Sequence, residues 1–363
     1  MKDITSLCLP LASTVKDGIA QINKNGKKCV FIVDDAGRLC GLMTDGDVRR
    51  YVLSGKDLNA SVTCAMNPKP VVFHQMNEKK LKQEMSQREM LVYPVVDANN
   101  RLIDAFFWND LPENRNGNIS GFLPDTISTV IMAGGLGRRL YPYTKVLPKA
   151  LVPIGEDPIC THVINNFKSF GCKDFHLILN HKKEMIKAYY SDVEKDYNLT
   201  FHEEKEFLGT AGGLSLLKGK MDHAFFVSNC DILVEADYPC IYKTHKSEGN
   251  LITMVGALKD IQIPYGVIKL DHKNVTALEE KPKFSFLTNV GVYLLEPSVL
   301  DDIKDGVFIH MTDLIERYIA QGKKVGCFPI AGDAWLDMGQ IEEMKKMTAV
   351  LERRVQDQTE QGE

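Results

Sequence analysis

TVIMAGGLGRRLYPYTKVLPKALVPI, residues 129–154, is the stretch whose reading decides the fold. Its first four residues are a short apolar run of the kind that makes a buried strand. The run breaks into Ala133-Gly134-Gly135-Leu136-Gly137. Three glycines let the backbone turn tightly and come close to a ligand. Amide N–H groups lining such a turn can cradle phosphate. Arg138 and Arg139 follow, then Lys149 directly after Pro148. Glycines, guanidinium groups and an ammonium in one segment describe a polyphosphate site, although a GG-x-G run in isolation also suits an ordinary turn. The spacing is not that of a Walker loop, because no Gly-Lys-Ser/Thr follows. Nor is it the G-x-G-x-x-G dinucleotide fingerprint, since basic residues stand where that motif begins a closely packed helix.

Downstream, strands and helices alternate. Residues 175–179, 224–228 and 251–257 read as strands and 182–190 as a helix. Alternation of this kind predicts a mostly parallel sheet covered by helices, with ligands at the carboxyl ends of the strands. A helix is expected from about 340 to 355, followed by a polar tail.

Composition sets the outer bounds. A chain of 363 residues is long for one domain and comfortable for two or three. A net charge of −4 gives no reason to expect nucleic-acid binding. No apolar run approaches the roughly 20 residues of a membrane helix, and the start lacks a signal-peptide pattern. The nine cysteines are scattered without C-x-x-C spacing, which suits reduced thiols in a cytoplasmic protein better than a disulfide framework or a zinc site.

Upstream, residues 1–111 contain two copies of one unit. VFIVDDAGRLCGLMTDGDV at 30–48 lies over YPVVDANNRLIDAFFWNDL at 93–111. Val33, Asp34, Arg38, Leu39 and Asp47 fall on Val96, Asp97, Arg101, Leu102 and Asp110. Each copy reads strand, turn, strand, helix, after helical stretches at 15–23 and 81–90, and the turns carry Asp, Asn and Gly. PENRNGNISGFLP, 112–124, has the composition of a linker.

The central stretch closely resembles the signature of sugar-1-phosphate nucleotidyltransferases, G-G-x-G-T-R-L…P-K-P…P-I. Gly134, Gly135, Gly137, Arg139, Leu140, Pro148, Lys149, Pro153 and Ile154 match, and Arg138 stands where the family usually has Thr or Ser. EFLGTAGG at 206–213 resembles the family's segment against the nucleotide base and sugar. Asp231, after the 224–228 strand, resembles one metal ligand, and Asp337 in Trp335-Leu336-Asp337-Met338-Gly339 the second. Gly266 in P-Y-G-V, Glu280 and Lys281 in E-E-K-P, and Asn289 in N-V-G-V-Y match the sugar-binding half. A surface turn remains an alternative for the E-E-K-P run. Asp237 reads as a solvated loop residue. His310-Met311-Thr312-Asp313 also matches a family segment, where Thr312 or Asp313 reads as a helix cap.

What the resemblance implies is a Rossmann-like doubly wound α/β transferase domain at 125–350 with a polar tail at 351–363. Arg139, Lys149 and Lys281 would be catalytic cations. Ala133, Gly134, Gly135, Gly137, Arg138, Gly209, Thr210, Ala211 and Gly212 would bind the nucleotide. Gly266, Glu280 and Asn289 would bind the sugar. Asp231 and Asp337 would hold Mg²⁺. No left-handed β-helix is expected after 350, because no hexapeptide repeat is present.

The N-terminal repeat resembles a pair of CBS (cystathionine-β-synthase-type) domains, an α+β module at 1–58 and 59–113 joined to the transferase by 114–124. The resemblance puts Thr44 and Asp47 on a nucleotide's ribose and phosphate. Phe107 occupies the matching Thr position of the second copy, so an adenine or guanine nucleotide is expected in the first half. A ligand-free dimerisation platform is the other reading, and a homodimer is expected in either case. A CBS pair before such a domain resembles glucosamine-1-phosphate guanylyltransferases of nonulosonic (legionaminic-type) acid pathways and mannose-1-phosphate guanylyltransferases. The expected substrates are therefore GTP and glucosamine 1-phosphate. Mannose 1-phosphate, uridylyl, thymidylyl or cytidylyl transfer, or a non-enzymatic nucleotide sensor, are the alternatives.

Overall fold

The computed structural model describes residues 4–25, 27–74, 92–107, 122–339, 341–345 and 347–349. The chain divides into two units, Met1–Gly121 with Leu258–Phe286, and Phe122–Ala257 with Leu287–Glu363. Among the described residues no helix is long and apolar enough to cross a membrane.

In the first unit, strands Cys8–Pro10, Cys29–Val33 and Leu39–Thr44 form a sheet beside helices Val15–Asn25 and Asp45–Leu53. A second antiparallel hairpin pairs Val92–Val96 with Leu102–Phe107. The two hairpins repeat each other in detail. Their registers slip at equivalent places, Ile32/Val33 and Val95/Val96. The Asp34 carboxylate accepts the N–H groups of Ala36 and Arg38 at 3.0 and 2.8 Å, and the Asp97 carboxylate accepts those of Asn99 and Arg101, both at 2.8 Å. The turns meet reciprocally. Leu39 donates to the Asn100 carbonyl at 2.9 Å and Leu102 to that of Gly37 at 3.1 Å. Phe31, Leu42, Val92, Val96 and Phe107 then share one core. The alignment of 30–48 on 93–111 is thus matched bond for bond across the turns. The helix expected at 81–90, Asp110, most of 112–124 and the tail at 351–363 lie outside the described residues. The hairpin Val267–Asp271/Asn274–Glu279 completes this unit.

The second unit is built on a seven-stranded sheet. Its order is Asn198–Glu203, Asp174–Leu179, Ser128–Met132, Phe225–Asn229, Lys283–Leu295, Ile252–Gln262 and Val325–Ile330. The first four pair in parallel and Lys283–Leu295 runs antiparallel to Phe225–Asn229. In chain order the first four strands stand 3-2-1-4. The direction of winding therefore reverses beside Ser128–Met132, and such a switch point leaves a crevice at the carboxyl ends of the strands. Alternate side chains bury on opposite faces. Ile131, Leu177 and Phe226 pack against helix residues Val163, Ile164 and Phe167, whereas Val130, Ile178 and Val227 pack against Leu214, Leu217 and Leu314. Both faces are covered, so the strands read as near-continuous apolar runs.

Residues 122–124, placed in the linker by composition, join this unit. Leu123 is buried and its N–H donates to the Phe170 carbonyl at 2.8 Å. Residues 341–345 and 347–349 are helical, and Met344 and Met347 bury with Leu140, Val152 and Leu233. Asp237 is not a solvated loop residue, because its side chain caps helix Tyr238–Glu248, accepting the Cys240 N–H at 2.9 Å. Of the two residues considered as caps near 310, Asp313 fills the role by accepting the His310 N–H at 3.0 Å, while Thr312 lies inside helix Met311–Ala320.

Candidate active site

The crevice lies at the carboxyl ends of the parallel strands. Ser128–Met132 leads into Gly134, Asp174–Leu179 into Asn180, Asn198–Glu203 into Glu204, and Phe225–Asn229 into Asp231. They enclose a cavity of about 420 Å³ whose walls include Gly134, Gly135, Arg139, Lys149, Glu204, Gly209, Thr210, Asp231, Asn289 and Asp337.

Two carboxylates far apart in sequence meet here. Strand Ile232–Val234 pairs antiparallel with Trp335–Asp337, setting Ile232 opposite Asp337. The Met338 N–H donates to the Asp231 carbonyl at 2.9 Å, locking the two segments together. Burial first, and then the nearby Asp231 charge, push the Asp337 carboxyl above its usual range, against the pull of the Gly339 amide, Lys149 and Arg139. The Gly339 N–H donates to Asp337 Oδ1 at 2.7 Å. Lys149 forms an ion pair with Asp231, both side chains being largely buried. Burial opposes the charge on Lys149, and Asp231 more than restores it, so the ammonium sits above its ordinary value.

Among the described residues no three His, Cys, Asp or Glu side chains cluster as a ready-made metal site. The pair Asp231 and Asp337 still fits Mg²⁺. That ion takes oxygen donors and is usually held by one or two carboxylates together with substrate phosphates. Two buried carboxylates side by side also supply the negative charge that such a cation would neutralise.

The glycine turn is shaped by what surrounds it. Gly137 is left-handed at φ 64°, and a Cβ there would stand 2.7 Å from Thr144 Cγ2. The Thr144 hydroxyl donates to the Gly137 carbonyl at 2.9 Å. The Lys182 ammonium donates to the carbonyls of Thr144, Lys145 and Val146 at 2.9, 2.8 and 3.0 Å, closing the end of the short helix Tyr143–Val146. Across the cavity, the Thr210 hydroxyl accepts the Met311 N–H at 2.9 Å. Asn289 donates to the Tyr293 hydroxyl at 2.7 Å and accepts the Gly291 N–H at 3.0 Å.

Several expected residues are not among those that line the cavity. Ala133, Ala211 and Gly212 are buried with their N–H groups donated to the Ile178, Ile309 and Ile309 carbonyls. Gly137 shapes the turn without lining the cavity. Arg138 lines a separate surface depression with Leu136, Tyr141, Thr144 and Lys145. Gly266, Glu280 and Lys281 belong to the other unit and are not among the cavity's lining residues. Lys281 sits in a turn at φ 48°, more than half exposed, with its ammonium 4.0 Å from Glu280. Thr44 and Asp47 form a reciprocal cap on helix Asp45–Leu53. The Thr44 hydroxyl donates to the Asp47 carboxylate at 2.6 Å, and the Asp47 N–H returns to the Thr44 hydroxyl at 3.3 Å.

Glu204 is the residue that the sequence patterns passed over. Its side chain lines the cavity and is 4% exposed, and Oε1 has no hydrogen-bond partner among the described residues. Burial pushes its carboxyl up to about 7, while the Leu208 amide pulls the other way. The available signal was positional: two adjacent acids at the end of an apolar-alternating strand, one of which must face inward.

The family profile described as nucleotidyl transferase matches residues 128–354, and that described as CBS domain matches residues 2–54. Among curated relatives, the mannose-1-phosphate guanyltransferase of Pichia angusta is 35% identical over 58% of this chain and 60% of its own length. The mannose-1-phosphate guanyltransferase of Saccharomyces cerevisiae is 33% identical over 61% of this chain and 63% of its own length. The match thus spans somewhat under two thirds of these relatives. The crystal structure of HddC from Yersinia pseudotuberculosis shares the fold, with a TM-score of 0.50 and 23% identity over 62% of this chain and 99% of that one. A second structure of that protein, complexed with GMP-PN, matches equally well.

Proposed function

The chain belongs to the nucleotidyl transferase family, and from that premise we propose that it transfers a guanylyl group from GTP to a hexose 1-phosphate, releasing pyrophosphate. The observation that carries this reading is the convergence of Lys149, Asp231 and Asp337 beside the glycine turn. The guanyltransferase relatives support GTP as donor and mannose 1-phosphate as acceptor. Glucosamine 1-phosphate, the acceptor expected from the CBS-fused resemblance, is the one to compare against it.

The nucleophile is a phosphate oxygen of the sugar 1-phosphate, which attacks the α-phosphorus of GTP as pyrophosphate leaves. That oxygen is already anionic, so no strong general base is required. The barrier comes from bringing two anions together. Unit charges about 4 Å apart interact by about 4 kcal/mol at an effective dielectric near 20. Fixed cations must therefore offset the repulsion in the transition state. Arg139 would hold the triphosphate through its planar fork. Lys149 would meet the α-phosphate, leaving Asp231 as charge accumulates there. Mg²⁺ held by Asp231 and Asp337 would supply charge neutralisation across both substrates. The backbone of Gly134 and Gly135 would cradle the leaving phosphates.

The test is pyrophosphate release from a panel of GTP, UTP, dTTP, CTP and ATP, each against mannose, glucosamine and glucose 1-phosphates. GTP with one hexose 1-phosphate is expected to dominate. Absence of release from every pair would return the chain to the nucleotide-sensor reading.

A further inference from the structure

Lys182 breaks two local rules at once. It immediately precedes helix Lys183–Asp192 in left-handed backbone, φ 52° and ψ 32°, a conformation uncommon outside glycine. It also puts a cation at a helix N-terminus, where the helix dipole favours anions and where Ser, Thr, Asp or Asn usually caps. Its side chain makes no cap bond. The ammonium instead donates to the carbonyls of Thr144, Lys145 and Val146 at 2.9, 2.8 and 3.0 Å. An ammonium has three donors, and all three serve one target. A residue that its own helix disfavours, with every donor committed elsewhere, is placed for that other segment.

That segment joins two parts of the cavity. Helix Tyr143–Val146 is a single turn, too short to hold itself, and its last carbonyls have no partner within the helix. On one side, the Thr144 hydroxyl bonds the Gly137 carbonyl at 2.9 Å. On the other, Leu147 at φ −89°, ψ 147° and Pro148 at φ −65°, ψ 151° run extended into Lys149. Proline fixes its own φ and confines the residue before it. Two such residues carry the position of the Val146 carbonyl to Lys149 with little slack. The strand-end loop that presents Lys182 is itself tied to the glycine turn, because the His181 N–H donates to the Gly134 carbonyl at 3.4 Å.

We propose that Lys182 is a positioning residue: by gathering the carbonyls of residues 144–146 it fixes where the Lys149 ammonium stands relative to the glycine turn. The inference rests on the transferase reading for the role of Lys149. Lys182 is not among the residues lining the cavity, so its effect runs through Lys149 rather than through contact with substrate. Three carbonyls converging on one point suit an ammonium and not a planar guanidinium fork. Displacing a reacting group by about 1 Å can cost about 100-fold in rate, so a brace outside the cavity can matter to the chemistry inside it.

The experiment uses the full chain as wild type, Lys182→Met, Lys149→Ala and the double variant. Lys182→Met alone is expected to lower kcat by about 10- to 100-fold and to change KM for GTP by less than about 3-fold. In the Lys149→Ala background the same substitution is expected to change kcat by less than about 2-fold, because the group it positions is already gone. A merely structural role would lower kcat by the same factor in both backgrounds. A second readout needs no turnover. Lys182 bonds the carbonyl of the peptide that trypsin cuts after Lys145, so native-state cleavage there, located by mass spectrometry, is expected to rise by about 10-fold in Lys182→Met. Should Lys182→Met not fold, Lys182→Arg keeps the charge. It is expected to lose about 3- to 10-fold in kcat, with the same dependence on Lys149. Unchanged cleavage after Lys145, or equal losses of kcat in both backgrounds, would overturn the role of Lys182 while wild-type turnover kept the transferase reading. If wild type turns over no pair of substrates, the two fail together.

Discussion

Two strand ends in this molecule carry polar residues of similar kind, and they treat them in opposite ways. At the end of strand Leu39–Thr44, the polar groups of Thr44 and Asp47 bond to one another and to the start of the next helix. At the end of strand Asn198–Glu203 and its neighbours, Glu204 keeps an unpartnered oxygen and Asp231 and Asp337 crowd together. The contrast recurs between adjacent residues. Glu203 faces outward to Lys183 and Lys187, which draw its carboxyl down to about 2, whereas burial sends that of Glu204 up to about 7. Polar groups that satisfy one another locally hold the fold. Groups left buried at a net cost await something that the chain does not supply.

The largest effect expected from breaking this contrast lies at Lys149. Removing a preorganised cation facing a reacting phosphate typically costs roughly 10²–10³ in rate. Lys149→Ala is expected to lose that much in kcat, with KM for GTP changing far less. Single-turnover measurements with circular dichroism as a fold control check it. Wild-type turnover would remove Lys149 from the chemistry. It would leave the ion pair with Asp231 as an element of architecture, like the Thr44–Asp47 pair.

How much of this contrast was visible in the sequence depends on distance along the chain. The alternation of apolar runs was enough for a doubly wound sheet, because strands buried on both faces advertise themselves. The two Asp-centred turns of the N-terminal repeat were legible because their bonding is local, spanning four residues from Asp34 to Arg38 and from Asp97 to Arg101. Asp231 and Asp337 could be named from motifs, but their meeting depends on a pairing between strands about a hundred residues apart. Glu204 was invisible because its burial depends on what two glycines from separate segments, Gly134 and Gly213, omit. Asp237 was misjudged for the opposite reason: its partner is a backbone amide three residues on, and the Pro at the second helical position was the missed signal.

A smaller effect is expected from neutralising Glu204 in the absence of ligand. Its folded proton affinity is raised, so the stability contributed by the neutral acid is present below its unfolded value of about 4.5 and is lost as pH rises through about 7. Glu204→Gln has no charge to bury. Its melting temperature relative to wild type is therefore expected to climb between about pH 5 and pH 8 and to level off above, reaching a gain of the order of 5 °C. Calorimetry across that range checks it. A flat difference would mean that Glu204 finds a partner in solution.

At the satisfied strand end the expectation is a loss. Thr44→Ala removes the acceptor for the Asp47 N–H and the donor to its carboxylate, and loss of such a cap costs about 1 kcal/mol. Urea titration followed by circular dichroism reads it. Opposite signs for Glu204→Gln at high pH and Thr44→Ala would separate the two classes of polar group by measurement. Equal losses at both would erase the distinction.

The least effect is expected at Arg138, where this chain departs from the family pattern. The residue follows the glycine turn directly, which invites a role on the β- or γ-phosphate. Its side chain instead lines a surface depression with Leu136, Tyr141, Thr144 and Lys145, while Arg139 lines the cavity. Exposed charges are screened within about 10 Å at 0.1 M salt, so a guanidinium outside the cavity adds little to a bound triphosphate. Arg138→Thr is therefore expected to change GTP affinity by no more than about 2-fold, with the salt dependence of binding unaltered. The measurement is GTP affinity at several ionic strengths for both proteins. A shallower slope in the variant would add Arg138 to the phosphate contacts, and would show that an exposed group outside the cavity can still belong with those held for a ligand.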